Sequence, residues 1–121
     1  MNQIAPRKAA EIRGRRAELL AAWWLRLQGW RIIAQRIRTP RGEVDLIARR
    51  GRTLAFIEVK ARATQAQLDH AIDAARLRRV IAAAHSLEGR YGSDMEEIRI
   101  DVILIAPWRR PVHLINVAQM L

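Results

Sequence analysis

A chain of 121 residues has room for one core, and with half its residues hydrophobic and 28% charged it reads as a single folded α/β domain over 1–121, only about the first six residues being expected to be loose. The absence of cysteine excludes disulfide frameworks, thiolate zinc sites and cysteine nucleophiles, and suits a reducing cytoplasm. A net charge of +10 points to polyanionic partners, while the longest apolar runs fall far short of the roughly 20 residues a membrane helix needs, so no membrane partner is expected.

In chain order, residues 6–28 carry Leu20, Trp23, Trp24 and Leu27 at helical spacing, with Gly29 at the end. That stripe is expected to face the core or an interface. A first strand is predicted over 31–38, ended by the turn residues Thr39, Pro40, Arg41 and Gly42. Residues 43–48 and 54–61 are β-prone segments joined by Arg49-Arg50-Gly51-Arg52, which has the length of a hairpin loop. Helical spacing returns over 65–87, closed by 88–92, and strands are predicted over 98–106 and around 112–117. Helix, three strands, helix and two strands make a mixed sheet flanked by helices.

Charge is unevenly placed. Residues 1–52 hold 13 Lys+Arg against four acids, whereas 53–121 hold nine against eight, so the positive field belongs to the N-terminal half. Twenty of the 22 basic residues are arginine and the only lysines are Lys8 and Lys60, which sets Lys60 apart from a generic positive charge.

Side chains alternate along a strand, so Glu58 and Lys60 share a face, as do Glu43 and Asp45. If Arg50-Gly51 forms the turn, paired residue numbers sum to 101, placing Asp45 opposite Phe56 and Glu43 opposite Glu58. Carboxylates gathered so closely around one lysine repel one another, and the simplest compensation is a hard divalent cation, Mg²⁺ or Mn²⁺. Such an ion could activate water and stabilise charge on a phosphodiester, with the lysine orienting the water or the developing charge.

The run Gly42-Glu43-Val44-Asp45-Leu46-Ile47-Ala48, followed by Phe56-Ile57-Glu58-Val59-Lys60-Ala61-Arg62, resembles the bacterial YraN family of predicted endonucleases. The resemblance spans about residues 13–105, including Gly14 and Glu18 in the first helix and Arg99-Ile100-Asp101-Val102-Ile103. It implies a restriction-endonuclease-like fold of the PD-(D/E)XK superfamily, similar to archaeal Holliday-junction resolvases. It also implies a catalytic set of Asp45, Glu58, Lys60 and Glu18, with Asp45, Glu58 and Glu18 as metal ligands and Glu43 in support. The chain departs from the family pattern at Gln35, where asparagine is usual, in 64–71, which lacks a Phe-Gly element, and at Arg76, which replaces a helix lysine.

Two functions follow as alternatives. The first is a Mg²⁺-dependent endonuclease on DNA, branched or structured and with little sequence preference, in which Arg38, Arg41, Arg62, Arg76 and Arg79 hold phosphates. The second is a non-catalytic nucleic-acid-binding or scaffolding module that keeps the nuclease fold. A homodimer follows from the analogy with resolvases alone. Against these stand plainer readings: Glu18 paired with Arg15, Glu58 with Lys60 as an ordinary ion pair, Glu43 with Arg41, and Asp101 as a structural acid. His70, His85 and His113 are too scattered for a zinc cluster or a Ser-His-Asp triad.

Overall fold

The computed structural model describes residues 5–62 and 73–120. Helix α1 (Pro6–Leu27) is followed by β1 (Arg31–Thr39), β2 (Gly42–Arg50) and β3 (Thr53–Ala61), then α2 (Ala74–Tyr91), β4 (Glu97–Ile105), β5 (Val112–Leu114) and a 3₁₀ turn (Val117–Met120). The part of the expected second helix at residues 65–72, with His70 and the whole of the departing segment 64–71, lies outside the described residues.

The five strands lie in the order β1-β2-β3-β4-β5, with β3 and β4 parallel and every other pair antiparallel. The expected mixed α/β sheet is thus present. The parallel pair requires a crossover, which α2 supplies on one face. That face buries Val44, Ile47, Phe56, Val102 and Leu104 against Leu77, Val80 and Ala84 of α2. The other face buries Leu46, Ala48, Ala55, Ile57 and Ile103 against Ala17, Ala21, Ala22 and Leu25 of α1.

Helix α1 therefore turns inward a different stripe from the one that marked it as a helix. Small residues let its backbone lie close to the sheet, and Leu20, Trp23 and Leu27 are left exposed. Pro6, where the first helix was expected to begin, occupies its first turn, where proline's missing N–H costs nothing. Gly92 caps α2 after Tyr91, four residues beyond the expected helical run. The last strand is shorter than expected because its chain turns at Asn116, at φ 56, into the 3₁₀ segment.

The central hairpin is shifted by two residues from the expected register. Pairs such as Ile47↔Phe56 and Arg50↔Thr53 sum to 103, so the turn is Gly51-Arg52. The reason is conformational. Gly51 has φ 62 and Arg52 has no positive φ, the pattern of a turn that needs glycine at its first central position and not its second. A shift of two leaves each side chain of the regular ladder, from Leu46 to Arg50 and from Thr53 to Ile57, on the same face of its strand.

Candidate active site

The β2–β3 ladder ends at Leu46↔Ile57, and the strands part just where the expected acids stand. Alternation also fails there: Val44 and Ile47, three residues apart, pack on the same side, as do Ala34 and Ile37 on β1. Between them lie Asp45 and, by the β1–β2 register, its neighbour Arg36, whose φ of 52 is left-handed, a strained state for a residue with a Cβ. This irregularity swings Asp45 out of the regular ladder toward β3.

Once there, the Asp45 side chain takes the hydrogen bond that a strand partner would have made: the Val59 N–H donates to its Oδ2 at 2.8 Å. Burial pushes the Asp45 carboxyl up from 3.8 to about 7, with the nearby charges of Glu58 and Glu18 adding to the rise; the Val59 N–H and Lys60 oppose it. Glu58 and Lys60 share the α2 side of β3. The Lys60 Nζ donates to Glu58 Oε1 at 2.8 Å, and Arg76 from α2 approaches the same oxygen at 3.6 Å. Burial lowers the Lys60 pKa despite that bond. Asp73, the N-cap of α2, and Leu77, Val80 and Val102 line the small depression beside the pair.

Asp45, Glu58 and Lys60 thus meet at one end of the β2–β3 pair. Glu18 is electrostatically within reach but is held elsewhere, bonded at 2.8 Å by the Nε of Arg36 rather than by Arg15. Glu43, expected opposite Glu58, instead stands 3.7 Å from Arg38, which fixes it beside the β1–β2 turn. Among the described residues no three acidic or histidine side chains form a ready-made metal cage. The donor chemistry nonetheless fits a hard cation: the candidate donors are carboxylate oxygens, and burial, with the charges of Glu58 and Glu18 adding to it, makes the Asp45 carboxyl resist ionising.

The arginines expected to hold phosphates fall into two groups. Gly42 lies so close to α2 that a Cβ would sit 3.0 Å from the Arg79 carbonyl oxygen, so the turn bearing Arg38 and Arg41 docks beside the exposed Arg76 and Arg79. Arg62 follows Lys60 by two residues, round the end of β3.

Asp101, fully buried on β4, is a structural anchor. It accepts bonds from Arg99 Nη2 at 2.9 Å, His113 Nε2 at 2.7 Å and the Asn116 N–H at 2.9 Å, tying β4 to β5 and the chain beyond it. Burial alone would raise its pKa, but these donors together hold it below the ordinary carboxylate value. Sequence reasoning missed Arg36, because its role depends on a left-handed backbone angle that leaves no signal in an arginine-rich strand.

The model of an uncharacterised protein family, UPF0102, matches residues 17–105, which include Glu18, Glu43, Asp45, Glu58 and Lys60. The chain belongs to the UPF0102 family. This is the YraN family that the motif residues indicated. The UPF0102 protein of Rhizorhabdus wittichii is 66% identical over 111 residues, covering 92% of this chain and 94% of its own. That of Sphingopyxis alaskensis is 65% identical over 113 residues, covering 93% and 97%. Among solved structures, Archaeoglobus fulgidus Hjc, a Holliday junction resolvase, matches this UPF0102 chain with a TM-score of 0.60 and 21% identity, over 87% of this chain and 76% of that one. At that identity the likeness shows the fold, which is nuclease-like. Among the described residues of this UPF0102 protein no helix is long and apolar enough to cross a membrane.

Proposed function

We propose that this protein is a metal-dependent endonuclease of the cytoplasm that hydrolyses phosphodiester bonds in DNA, with branched or otherwise structured DNA as its substrate class. The observation that carries the proposal is Asp45. A carboxylate raised to about 7 by burial and by two neighbouring acids is costly to keep in a fold, and such perturbation concentrates where charge is put to use.

Asp45 and Glu58 would hold the ion, with Glu18 joining them once Arg36 releases it. A bound Mg²⁺ or Mn²⁺ would supply charge stabilisation on the phosphate and a more acidic water. Lys60 already holds Glu58 by one hydrogen bond, and its ammonium donates a compact positive charge to the same cleft. A scissile phosphate there would gain a donor placed before the reaction begins. Arg38, Arg41, Arg76 and Arg79 would grip the backbone on one side and Arg62 on the other, without reading sequence. The likeness to a resolvase supports branched DNA and a dimer as the assembly that cuts paired strands.

The pairing of Glu58 with Lys60 and of Glu18 with Arg36 favours one competing reading, a nuclease-fold module that binds DNA without cutting it. Incubating four-way, forked and linear duplexes with the protein and Mg²⁺ or Mn²⁺ separates the two. Cleavage that vanishes in Asp45→Asn and Glu58→Gln supports the enzyme; binding without cleavage under any of these conditions supports the module.

A further inference from the structure

The exposed stripe of α1 is one wall of a groove of about 750 Å³, within the range of ligand-binding clefts. Leu20, Trp23, Trp24 and Leu27 line it on one side, and Ile105 at the end of β4, with Ala106, Pro107, Trp108 and Pro111 after it, lines it on the other. Its floor includes Ala61 and Arg62, so the groove begins one residue past Lys60, on the opposite face of the sheet from the Glu58–Lys60 pair.

Three observations describe what would fit. Trp23 is 61% exposed and Trp108 is wholly exposed, two large flat rings presented to solvent at substantial cost in unburied apolar area. The rim carries Arg13, Arg16, Arg62 and Arg109, and among the described residues no acid lines the groove. Trp108 is moreover held at φ 61 between Pro107 and Pro111, a left-handed angle that a β-carbon disfavours. An apolar peptide would bring no charge to match four arginines, and a second copy of this +10 chain would add net positive charge to them. Single-stranded nucleic acid brings both complements, phosphates for the guanidinium groups and base faces for the rings.

We infer that this groove binds unpaired nucleotides, stacking their bases on Trp23 and Trp108 and pairing their phosphates with Arg13, Arg16, Arg62 and Arg109. The inference rests on the nuclease reading and sharpens it. A strand leaving the Glu58–Lys60 cleft round the end of β3 enters the groove at Arg62, so the preferred substrate carries a single-stranded arm or frayed junction next to the scissile bond.

The test measures binding to fluorescent oligo(dT), blunt duplex and a forked duplex with one single-stranded arm, in EDTA so that no cleavage intervenes. Wild type is compared with Trp23→Ala/Trp108→Ala, both exposed positions whose loss leaves the core untouched, and with sedimentation of each protein alone. The expected result is that wild type binds the fork and oligo(dT) more tightly than the duplex. The double variant should lose roughly tenfold or more on both, as expected for lost base–aromatic stacking, and nothing on the duplex. Salt-sensitive duplex binding with no preference for the fork, or a variant that binds the fork like wild type, overturns the inference and leaves the nuclease reading standing. Failure to bind any of the three overturns both. A variant that changes only the sedimentation coefficient makes the groove an interface between copies and also overturns it.

Discussion

Asp45→Asn removes a charge the fold resists while keeping the shape that the fold uses, since an amide oxygen can still accept from the Val59 N–H. Raising the carboxyl from 3.8 to about 7 corresponds to about 4 kcal/mol by linkage, at about 1.36 kcal/mol per unit. Because the side chain is partly exposed, solvent screening reduces the usable figure to about 2 kcal/mol. The sign follows from proton counts. Between those two values the native state holds a proton that the unfolded chain has lost, so Asp45's contribution to stability is fully present below about 3.8 and is lost as pH rises through about 7. Urea denaturation at pH 5, 6.5 and 8 should therefore show Asp45→Asn more stable than wild type by about 2 kcal/mol at pH 8, with the gap closing as pH falls. Millimolar Mg²⁺ or Mn²⁺ at pH 8 should close it from the other side, stabilising wild type and leaving the variant unmoved. A variant no more stable than wild type at pH 8, or a gap independent of pH, would refute the account of Asp45 as a strained carboxylate awaiting a cation.

Lys60→Arg should keep the fold and DNA affinity but lose about 10²-fold or more in metal-dependent cleavage, because a planar guanidinium misplaces a donor that a compact ammonium puts in position; near wild-type cleavage would sink that role. Arg36→Gly relieves the left-handed angle and frees Glu18, so calorimetric titration should show tighter divalent-ion binding than in wild type, and weaker or unchanged binding would remove Glu18 from the ligand set. Single Ala substitutions at Arg38, Arg41, Arg76 or Arg79 should each lower the slope of log affinity against log salt by about one on every DNA sequence alike, and a sequence-dependent loss would contradict backbone binding. Asp101→Ala leaves Arg99, His113 and the Asn116 N–H without their buried acceptor and should cost about 3 kcal/mol or more in chemical denaturation, with no specific effect on metal binding.

Much of this protein was legible in one dimension because it depends on periodicity and parity. The order of elements follows from spacing that alternates between helical and extended, and a register error of two residues left the paired side chains of the regular β2–β3 ladder on their faces, whereas Asp45, beyond the end of that ladder, reaches β3 through the irregularity at Arg36. The E-x-K spacing alone places an acid and a lysine on one side of β3, where they bond at 2.8 Å. What needed three dimensions were choices between surfaces and between partners. The sequence shows two stripes on α1, one of alanines and one of tryptophan and leucine, and only packing decides that the alanines face the sheet, since close approach of helix to strands outweighs the larger burial the tryptophans would have given. Likewise Glu18 has several arginines within a few turns, yet its partner is Arg36, eighteen residues away, because a left-handed residue beside Asp45 turns that one guanidinium toward the helix. Local spacing determines which residues can share a face; long-range packing determines which face is buried and which charges meet there.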